Sequence, residues 1–362
     1  MLKNYFITAI RSLWREKNKA TLNILGLTIG IGASLMLFLI INYHKNFDTF
    51  HSKKDRIYRV ITMSDGNNGR NYTAGVPSVL PEAFRNDVPE AEEVSFTSYR
   101  SNVMITIPQK AGESKRFEEE RGVTFAQPNF FKIFDRKILI GDSKNGLDQP
   151  NEAIISKSWA VEYFGKEDAL GEILEYDNTQ YKITAVMEDA PANTDLPFEL
   201  MLSYATKQKD FDQHGWHSIW SDEHCYVLLK TNATQQEAES RMPQFIKKYV
   251  GDDNRNNVTY ALQPLSTFHY DERFGNYNYN TVSQSMLLTL TAIAVLLIVT
   301  ASINFINLST AEAIKRSKEV GIRKSLGSTR TQLIFQFLCE SALITLASLI
   351  IALILIQASL GL

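Results

Sequence analysis

The chain has 362 residues, in which 38 lysines and arginines nearly balance 40 aspartates and glutamates, giving a formal net charge of −2. A chain this close to neutral lacks the long-range attraction to polyanions that nucleic-acid binding needs, so we expect no nucleic-acid partner. Its two cysteines, Cys225 and Cys339, fall in a predicted outer domain and a predicted membrane span, which excludes a disulfide between them.

Residues 1–19 are predicted to form an amphipathic helix that lies along the inner leaflet of a membrane. Apolar side chains recur at helical spacing on one side of this segment, and polar and basic side chains fall on the other. The basic residues suit anionic lipid headgroups, and Trp14 suits the boundary zone. The same pattern also fits a helix packed on another subunit or domain.

Three long apolar stretches are predicted to be transmembrane helices, at residues 20–41, 286–308 and 333–356. A helix of about 20 residues, at 1.5 Å per residue, matches the roughly 30 Å thickness of the hydrocarbon layer. The first stretch is interpreted as an uncleaved anchor, because its apolar run exceeds that of a signal peptide. Within it, Gly26 and Gly30 have the spacing that lets a second helix pack closely.

Short basic segments determine the predicted orientation. Lysines and arginines precede the first span and separate the second from the third, which places both segments in the cytoplasm. Residues 42–285 are then periplasmic in a bacterium, and residues 357–362 form an outer C-terminal end. The sequence therefore predicts a multi-pass protein of the bacterial inner (plasma) membrane, with a cytoplasmic N-terminus.

The segment 42–285 is predicted to be a large α+β domain. It opens and closes with strand, helix and strand patterns, at 57–63, 77–87 and 94–99 and again at 225–229, 234–249 and 258–262. Thr234 and Glu237 have the spacing of a capping box at the start of the second helix. We predict two βαβ-like halves of one domain, with a β-rich lobe of about residues 100–223 inserted between them.

The inserted lobe shows short strand patterns broken by turn signals throughout. Its predicted strands are 103–107, 122–125, 153–156, 172–176 and 181–187. Short helices are predicted at 129–134 and 157–164.

No catalytic motif occurs: the phosphate-binding G-x-x-x-x-G-K-[ST], G-x-S-x-G and H-E-x-x-H are all missing. We expect no catalytic residue, cofactor or metal site, and no enzyme activity. One cluster of candidate ligands for zinc or copper stands out: His214, His217, Glu223, His224 and Cys225. Its spacing matches no standard site, and Trp216 and Trp220 within it favour a packed surface loop. A metal-dependent periplasmic enzyme would depend on this cluster alone.

The basic loop at residues 309–332 is predicted to be cytoplasmic and to contain a short helix. Gly327 would end that helix in a left-handed conformation, and Thr329 and Gln332 would cap the next one. The residues alone fit equally well a basic turn that only determines orientation.

The run at 316–328, which reads RSKEVGIRKSLGS, and QFLCES at 336–341 resemble the signature loop of the MacB/FtsX-type ABC transporter permeases. The first span is similar to that of the family in its NILGLTIGIG at 23–32. Asp48, His51 and the run DRIYRV at 55–60 resemble the start of the family's periplasmic core domain. The resemblance covers essentially the whole chain.

This resemblance implies a mechanism without conventional pumping. In such permeases a separate cytoplasmic ATPase binds the loop after the second span. ATP-driven dimerisation of the ATPase then moves the helices that carry the outer domain. Carried onto this sequence, the coupling residues would be Glu319, Gly321, Ile322, Arg323, Lys324, Leu326 and Gly327. Ile322 and Leu326 would fill an apolar groove on the ATPase, while Arg323 and Lys324 would meet acidic groups at its rim.

The resemblance also implies partners. They are a cytoplasmic ABC ATPase, the lipid bilayer, a homodimer mate or paired permease half, and periplasmic or outer-membrane proteins. Family members have a fourth span, and many carry a second copy of the whole permease unit. The resemblance therefore implies that a chain stopping after the third span is a truncated product, a fragment or half of a longer protein. The substrate, for export or extraction, is not indicated by any residue. The alternative function is a membrane-anchored periplasmic sensor or scaffold without ATPase coupling.

Overall fold

The computed structural model describes residues 10–11, 14–66, 69–109, 112–141, 146–251, 257–277, 280–315 and 317–360. The chain divides into a sheet-rich unit, Asn46–Ser283, and a helical unit formed by the segments before and after it. The helical unit begins with α1 (Lys17–Lys45). Most of the predicted interfacial helix over residues 1–19 lies outside the described residues.

The sheet-rich unit is built on one mixed sheet of thirteen strands with short helices. The strands are β1 (Ile57–Gly66), β2 (Gly69–Thr73), β3 (Ala91–Arg100), β4 (Val103–Ile107), β5 (Lys115–Glu119), β6 (Val123–Ala126), β7 (Ile138–Gly141), β8 (Glu152–Ser156), β9 (Ile173–Tyr176), β10 (Thr179–Met187), β11 (Leu200–Ser203), β12 (Glu223–Leu229) and β13 (Thr259–Pro264). The helices are α2 (Leu80–Asp87), α3 (Phe130–Ile133), α4 (Lys157–Phe164), α5 (Gln208–Asp212), α6 (Gln235–Ser240) and α7 (Met242–Tyr249).

The two predicted halves interlock in this sheet. The first half is β1, α2 and β3, and the second is β12, α6 with α7, and β13. Strand β12 pairs antiparallel with both β1 and β3, and β13 pairs with the other edge of β1, which gives the order β13-β1-β12-β3. This is the strand order of a split βαβ arrangement, in which each half needs the other to complete its hydrogen bonds.

The helices of both halves cover one face of the sheet. Helix α2 buries Leu80 and Phe84, and α7 buries Phe245, whose ring lies 6.0 Å from that of Phe84 between centroids. Val60 and Cys225 from the central strands join the same core cluster. Apolar residues recur about every 3.6 positions in the helices and so lie on one side of each helix. They pack against the apolar residues of the central strands and form this core layer.

The strands between β3 and β12 in sequence extend the same sheet from β3. Strand β6 pairs antiparallel with β3, and the order continues β6-β11-β8-β10-β9-β4-β5, with β2 on β1 and β7 on β10. Strands β6 and β11 are parallel, as are β8 and β10. The predicted α+β fold class, with a β-rich insertion between two halves, is confirmed.

The helical unit contains α1, α8 (Gln284–Lys315), α9 (Ser317–Ser325) and α10 (Arg330–Leu360). Helices α1, α8 and α10 have 29, 32 and 31 residues, and all three are long and apolar enough to cross a membrane. Each extends beyond the predicted span, because polar residues at its ends continue the helix past the apolar run.

Candidate functional site in the loop between the second and third long helices

Helix α9 ends in a Schellman motif at Gly327. This glycine has a φ of 95°, its N–H donates to the Lys324 carbonyl at 3.2 Å, and the Ser328 N–H donates to the Arg323 carbonyl at 3.1 Å. A side chain at this φ would be strained, so glycine is the residue that allows the helix to end here.

A capping box starts α10 two residues later. The Thr329 N–H donates to Gln332 Oε1 at 3.0 Å, and the Gln332 N–H donates to Thr329 Oγ1 at 3.4 Å. The two helix ends thus satisfy their own backbone groups within a turn of four residues. Hydrogen bonds therefore fix the conformation of the turn that joins α9 to α10.

Two apolar side chains are exposed where α9 ends: Ile322 in its last turn and Leu326 immediately after its last residue. Ile322 is 61% exposed and Leu326 is 81% exposed, and their spacing of four puts them on neighbouring positions of the helix surface. Lys324 is also exposed, and an added Cβ at Gly321 would meet nothing within 4 Å. Two large apolar side chains are thus exposed side by side at the end of a short helix whose other residues are mostly polar.

Arg323 has a different environment from the one expected for a residue at the rim of an interface. Its side chain is half-buried, and Nη1 donates to Gln336 Oε1 of α10 at 3.0 Å. Arg323 therefore helps to hold α9 against α10. The side chain of Glu319 lies outside the described part of the structure.

Gly30 and Gly26 lie where α1 approaches α8. A Cβ at Gly30 would lie 2.3 Å from the Ala301 Cβ, and one at Gly26 would lie 3.1 Å from Asn304 Nδ2. On the same pair of helices, Ser34 Oγ donates to the Ala294 carbonyl at 2.9 Å. Small residues thus allow close backbone contact and an interhelical hydrogen bond.

The histidine cluster does not assemble in the described residues. His224 is buried, with Nδ1 3.0 Å from the Tyr226 hydroxyl and Nε2 2.9 Å from the Ser221 carbonyl, and burial keeps its pKa well below the usual value. Cys225 is buried in the sheet core, whereas His214 is exposed. The side chain of His217 is not among those described, and the described residues contain no group of three potential metal ligands.

A buried polar cluster, which we call the terminal clamp, joins both ends of the sheet-rich unit: Asp48, His51, Asp195, His269 and Asn276. Asp48 Oδ2 accepts from the Asp195 N–H at 3.0 Å. Asp195 Oδ1 in turn accepts from His269 Nδ1 at 3.1 Å and from Asn276 Nδ2 at 2.7 Å. His51 Nδ1 accepts from the Asp135 N–H at 3.1 Å. Residues just after α1 are thereby connected to residues just before α8.

Sequence reasoning used Asp48 and His51 only as part of a family motif and missed the clamp. The spacing of Asp48 and His51 was the available signal for the clamp. An acid and a histidine that are buried near the start of a domain need polar partners. The ring of Phe47 also stacks on His269, with 3.6 Å between centroids.

Comparison with known families agrees with this architecture. The MacB-like periplasmic core domain matches residues 20–245, and the FtsX-like permease C-terminal domain matches residues 291–362. A solved domain of a permease-type protein from Porphyromonas gingivalis superposes with a TM-score of 0.51 at 19% identity, covering 59% of this chain and 91% of that domain. That likeness shows the fold.

Two relatives cover most of the chain. The macrolide export ATP-binding/permease protein MacB of Pasteurella multocida is 22% identical over 359 residues, which are 94% of this chain and 50% of that protein. The ABC transporter permease YknZ of Bacillus subtilis is 22% identical, over 93% of this chain and 81% of that protein. The chain spans about half the length of the MacB relative. Since the core-domain profile alone covers more than half of its residues, the chain belongs to the ABC transporter permeases that combine a MacB-like periplasmic core domain with an FtsX-like permease domain.

Proposed function

We propose that this protein is the permease subunit of a bacterial ABC transporter that transmits ATP-driven motion of a separate cytoplasmic ATPase to its sheet-rich unit in the periplasm. The observation that carries the proposal is the exposed pair Ile322 and Leu326 on a short helix whose end is fixed by a Schellman motif. A partner that binds this pair would push on α10 through a connection of only four residues.

The coupling surface consists of Ile322, Leu326 and Lys324, with Gly321 allowing close approach and Gly327 fixing the end of the helix. Burying two aliphatic side chains contributes about 1.5 to 3 kcal/mol each, which is enough to make them anchors of an interface. Arg323 supports this surface indirectly, because its hydrogen bond to Gln336 holds α9 against α10. Glu319 belongs to the same helix and is proposed as a further coupling residue.

The orientation is proposed from the basic residues that flank α1 and lie between α8 and α10. We place the N-terminus and α9 in the cytoplasm, the sheet-rich unit in the periplasm and the long helices in the inner membrane. Export or extraction of a substrate is proposed because one relative is named as a macrolide export protein. A second permease subunit and periplasmic or outer-membrane proteins are proposed as further partners.

The test is co-purification of the full chain, in detergent, with a candidate cytoplasmic ABC ATPase from the same organism. Wild type should retain the ATPase, and Ile322→Ser with Leu326→Ser should reduce the retained amount at least tenfold. Lys324→Glu should reduce it less, because a rim charge mainly affects association rate. The matched control is Leu170→Ser with Ile173→Ser, two exposed apolar residues of the sheet-rich unit, which should retain the ATPase fully.

The alternative, a membrane-anchored sensor or scaffold without ATPase coupling, predicts a different result. In that case wild type and the α9 variant would retain equally little ATPase. Equal retention by wild type and the α9 variant at a high level would place the ATPase on another surface. Either result would refute the role proposed for α9.

A further inference from the structure

A cavity of about 450 Å³ opens in the sheet-rich unit where β3 ends and β12 begins. Arg100 is the last residue of β3, Glu223 is the first residue of β12, and α5 contributes Phe211 to the wall. Trp220 lines it from the loop that precedes β12. The volume lies within the range of roughly 300 to 1,000 Å³ that small-molecule sites occupy.

The two cationic side chains of the cavity already have partners in the protein. Lys207 Nζ lies 3.1 Å from Asp177 Oδ2. The Arg100 guanidinium lies over the rings of Phe125 and Phe211, at 5.7 and 5.6 Å from their centroids. A cation over an aromatic face is stabilised by the ring quadrupole, so Arg100 does not depend on an anionic ligand.

The carboxylates of Asp222 and Glu223, at the start of β12, differ from these two cations because burial strongly affects them. Glu223 is only 4% exposed, and the Ser98 hydroxyl, at 3.5 Å, is its hydrogen-bond partner. Burial raises the pKa of Glu223 to about 7, and Arg100 only partly offsets this. Burial also raises the pKa of Asp222. Within the described residues neither carboxylate has a lysine, arginine or histidine nitrogen within 4 Å.

Trp220 supplies an aromatic surface that is open to solvent, and its indole Nε1–H donates to Ser218 Oγ at 3.1 Å. Its side chain is 57% exposed, although its carbonyl accepts from the Glu223 N–H at 3.1 Å. A Cβ at Gly75 would lie 2.1 Å from the same carbonyl oxygen, so the backbone of the two segments is in direct contact there. Tryptophan is the side chain that binds organic cations most strongly through its face.

We propose that this cavity binds an organic cation, an ammonium or guanidinium group carried on an apolar body, with Glu223, Asp222 and the face of Trp220 contacting the charge and Phe211 contacting the apolar part. The cavity wall carries four acidic side chains, Asp177, Asp210, Asp222 and Glu223, against Arg100, Lys207 and the imidazole of His214. This excess of negative charge disfavours an anion. A bare metal ion is disfavoured as well, since the described residues offer no group of three ligands and the walls are aromatic.

The test uses the full chain in detergent at pH 8 and the probe benzyltrimethylammonium, whose charge does not titrate. Titration calorimetry, with the tryptophan fluorescence as a second readout, should show saturable binding of this probe and none of benzenesulfonate or benzyl alcohol. Glu223→Gln and Asp222→Asn should each weaken binding about tenfold or more. Trp220→Leu should weaken it several-fold and remove the fluorescence change. Glu118→Gln, an exposed acid on β5, should bind as wild type does.

The proposal is overturned if benzenesulfonate binds as tightly as the cation, if the probe does not bind below about 10 mM, or if Asp222→Asn and Trp220→Leu both bind normally. Asp222 and Trp220 are partly exposed, so these two variants test the cavity without replacing a buried side chain. No ATPase is needed for the measurement. Failure of the coupling proposal therefore leaves this result unaffected, and the reverse also holds.

Discussion

Glu223 links the stability of the sheet-rich unit to pH. Because its pKa is raised to about 7 in the folded protein, the folded state holds a proton that the unfolded chain releases above its ordinary value of 4.5. The contribution of Glu223 is complete below that value and is lost as the pH rises to about 7. The charged and titratable groups that share the cavity with it are Arg100, Tyr176, Asp177, Lys207, Asp210, His214 and Asp222, and Tyr204 lies close enough to interact with it electrostatically.

We expect Glu223→Gln to remove this pH dependence. The variant should be more stable than wild type at pH 8 by about 1 to 2 kcal/mol, since water in the open cavity screens part of the effect, and similar to wild type at pH 4.5. Urea unfolding of the full chain in detergent, followed by tryptophan fluorescence, measures the difference at both pH values. Glu118→Gln is the control, and an equal response from that exposed residue would contradict the assignment to Glu223.

The close contact between helices α1 and α8 depends on the absence of a side chain at Gly30. Since a Cβ at Gly30 would lie 2.3 Å from the Ala301 Cβ, Gly30→Ala must separate the two helices. Overpacking of this kind costs about 1 to 3 kcal/mol. We expect the thermal midpoint in detergent to fall, and Gly30→Ala with Ala301→Gly to recover most of the loss.

Gly32 offers the matched control on the same helix. A Cβ there would lie 3.6 Å from the Ala352 Cβ of α10, which is ordinary van der Waals contact, so Gly32→Ala should be tolerated. If both single variants behave alike, the midpoint reports helix propensity instead of interhelical packing.

Local signals predicted the helix ends well, while strand pairing was predicted incompletely. The capping boxes at Thr234 and Thr329 and the glycine stop at Gly327 form as the sequence indicated, because each depends on residues within a few positions of one another. Four strands were not predicted: β2, β5, β7 and β11. Strand β5 is charged and paired at one edge with β4, and β11 is a buried run of only four residues, so neither shows a clear alternation.

For the molecule as a whole, sequence patterns identified the three long helices and both βαβ-like halves, because these depend on runs of apolar residues. The terminal clamp could not be found in this way. Asp195 lies 147 residues from Asp48 and 81 residues from Asn276 along the chain, and no local pattern connects them. The cavity lined by Arg100, Trp220 and Glu223 could not be found in this way either. Its walls come from β3, α5 and the loop before β12, which only the folded sheet brings together.

The clamp predicts that both ends of the sheet-rich unit open together when Asp195 is removed. Asp195→Ala leaves the buried His269 and Asn276 donors without their shared acceptor, which should cost about 2 to 4 kcal/mol. Asp195→Asn keeps an acceptor oxygen and should cost less. Hydrogen exchange of the full chain in detergent should then speed up in residues 46–51 and 269–277.

A nearby surface pair separates the clamp from a general effect of lost charge. Asp271 accepts from Arg273, 2.6 Å away, and this pair lies in the same segment as His269. Asp271→Ala should change exchange less than Asp195→Ala does, because Arg273 is exposed to solvent and ion pairs with an exposed partner contribute about 0 to 1 kcal/mol. Faster exchange at 269–277 alone would mean that Asp195 holds only one end. Faster exchange at both ends would mean that one buried cluster holds the first and last segments of the sheet-rich unit together.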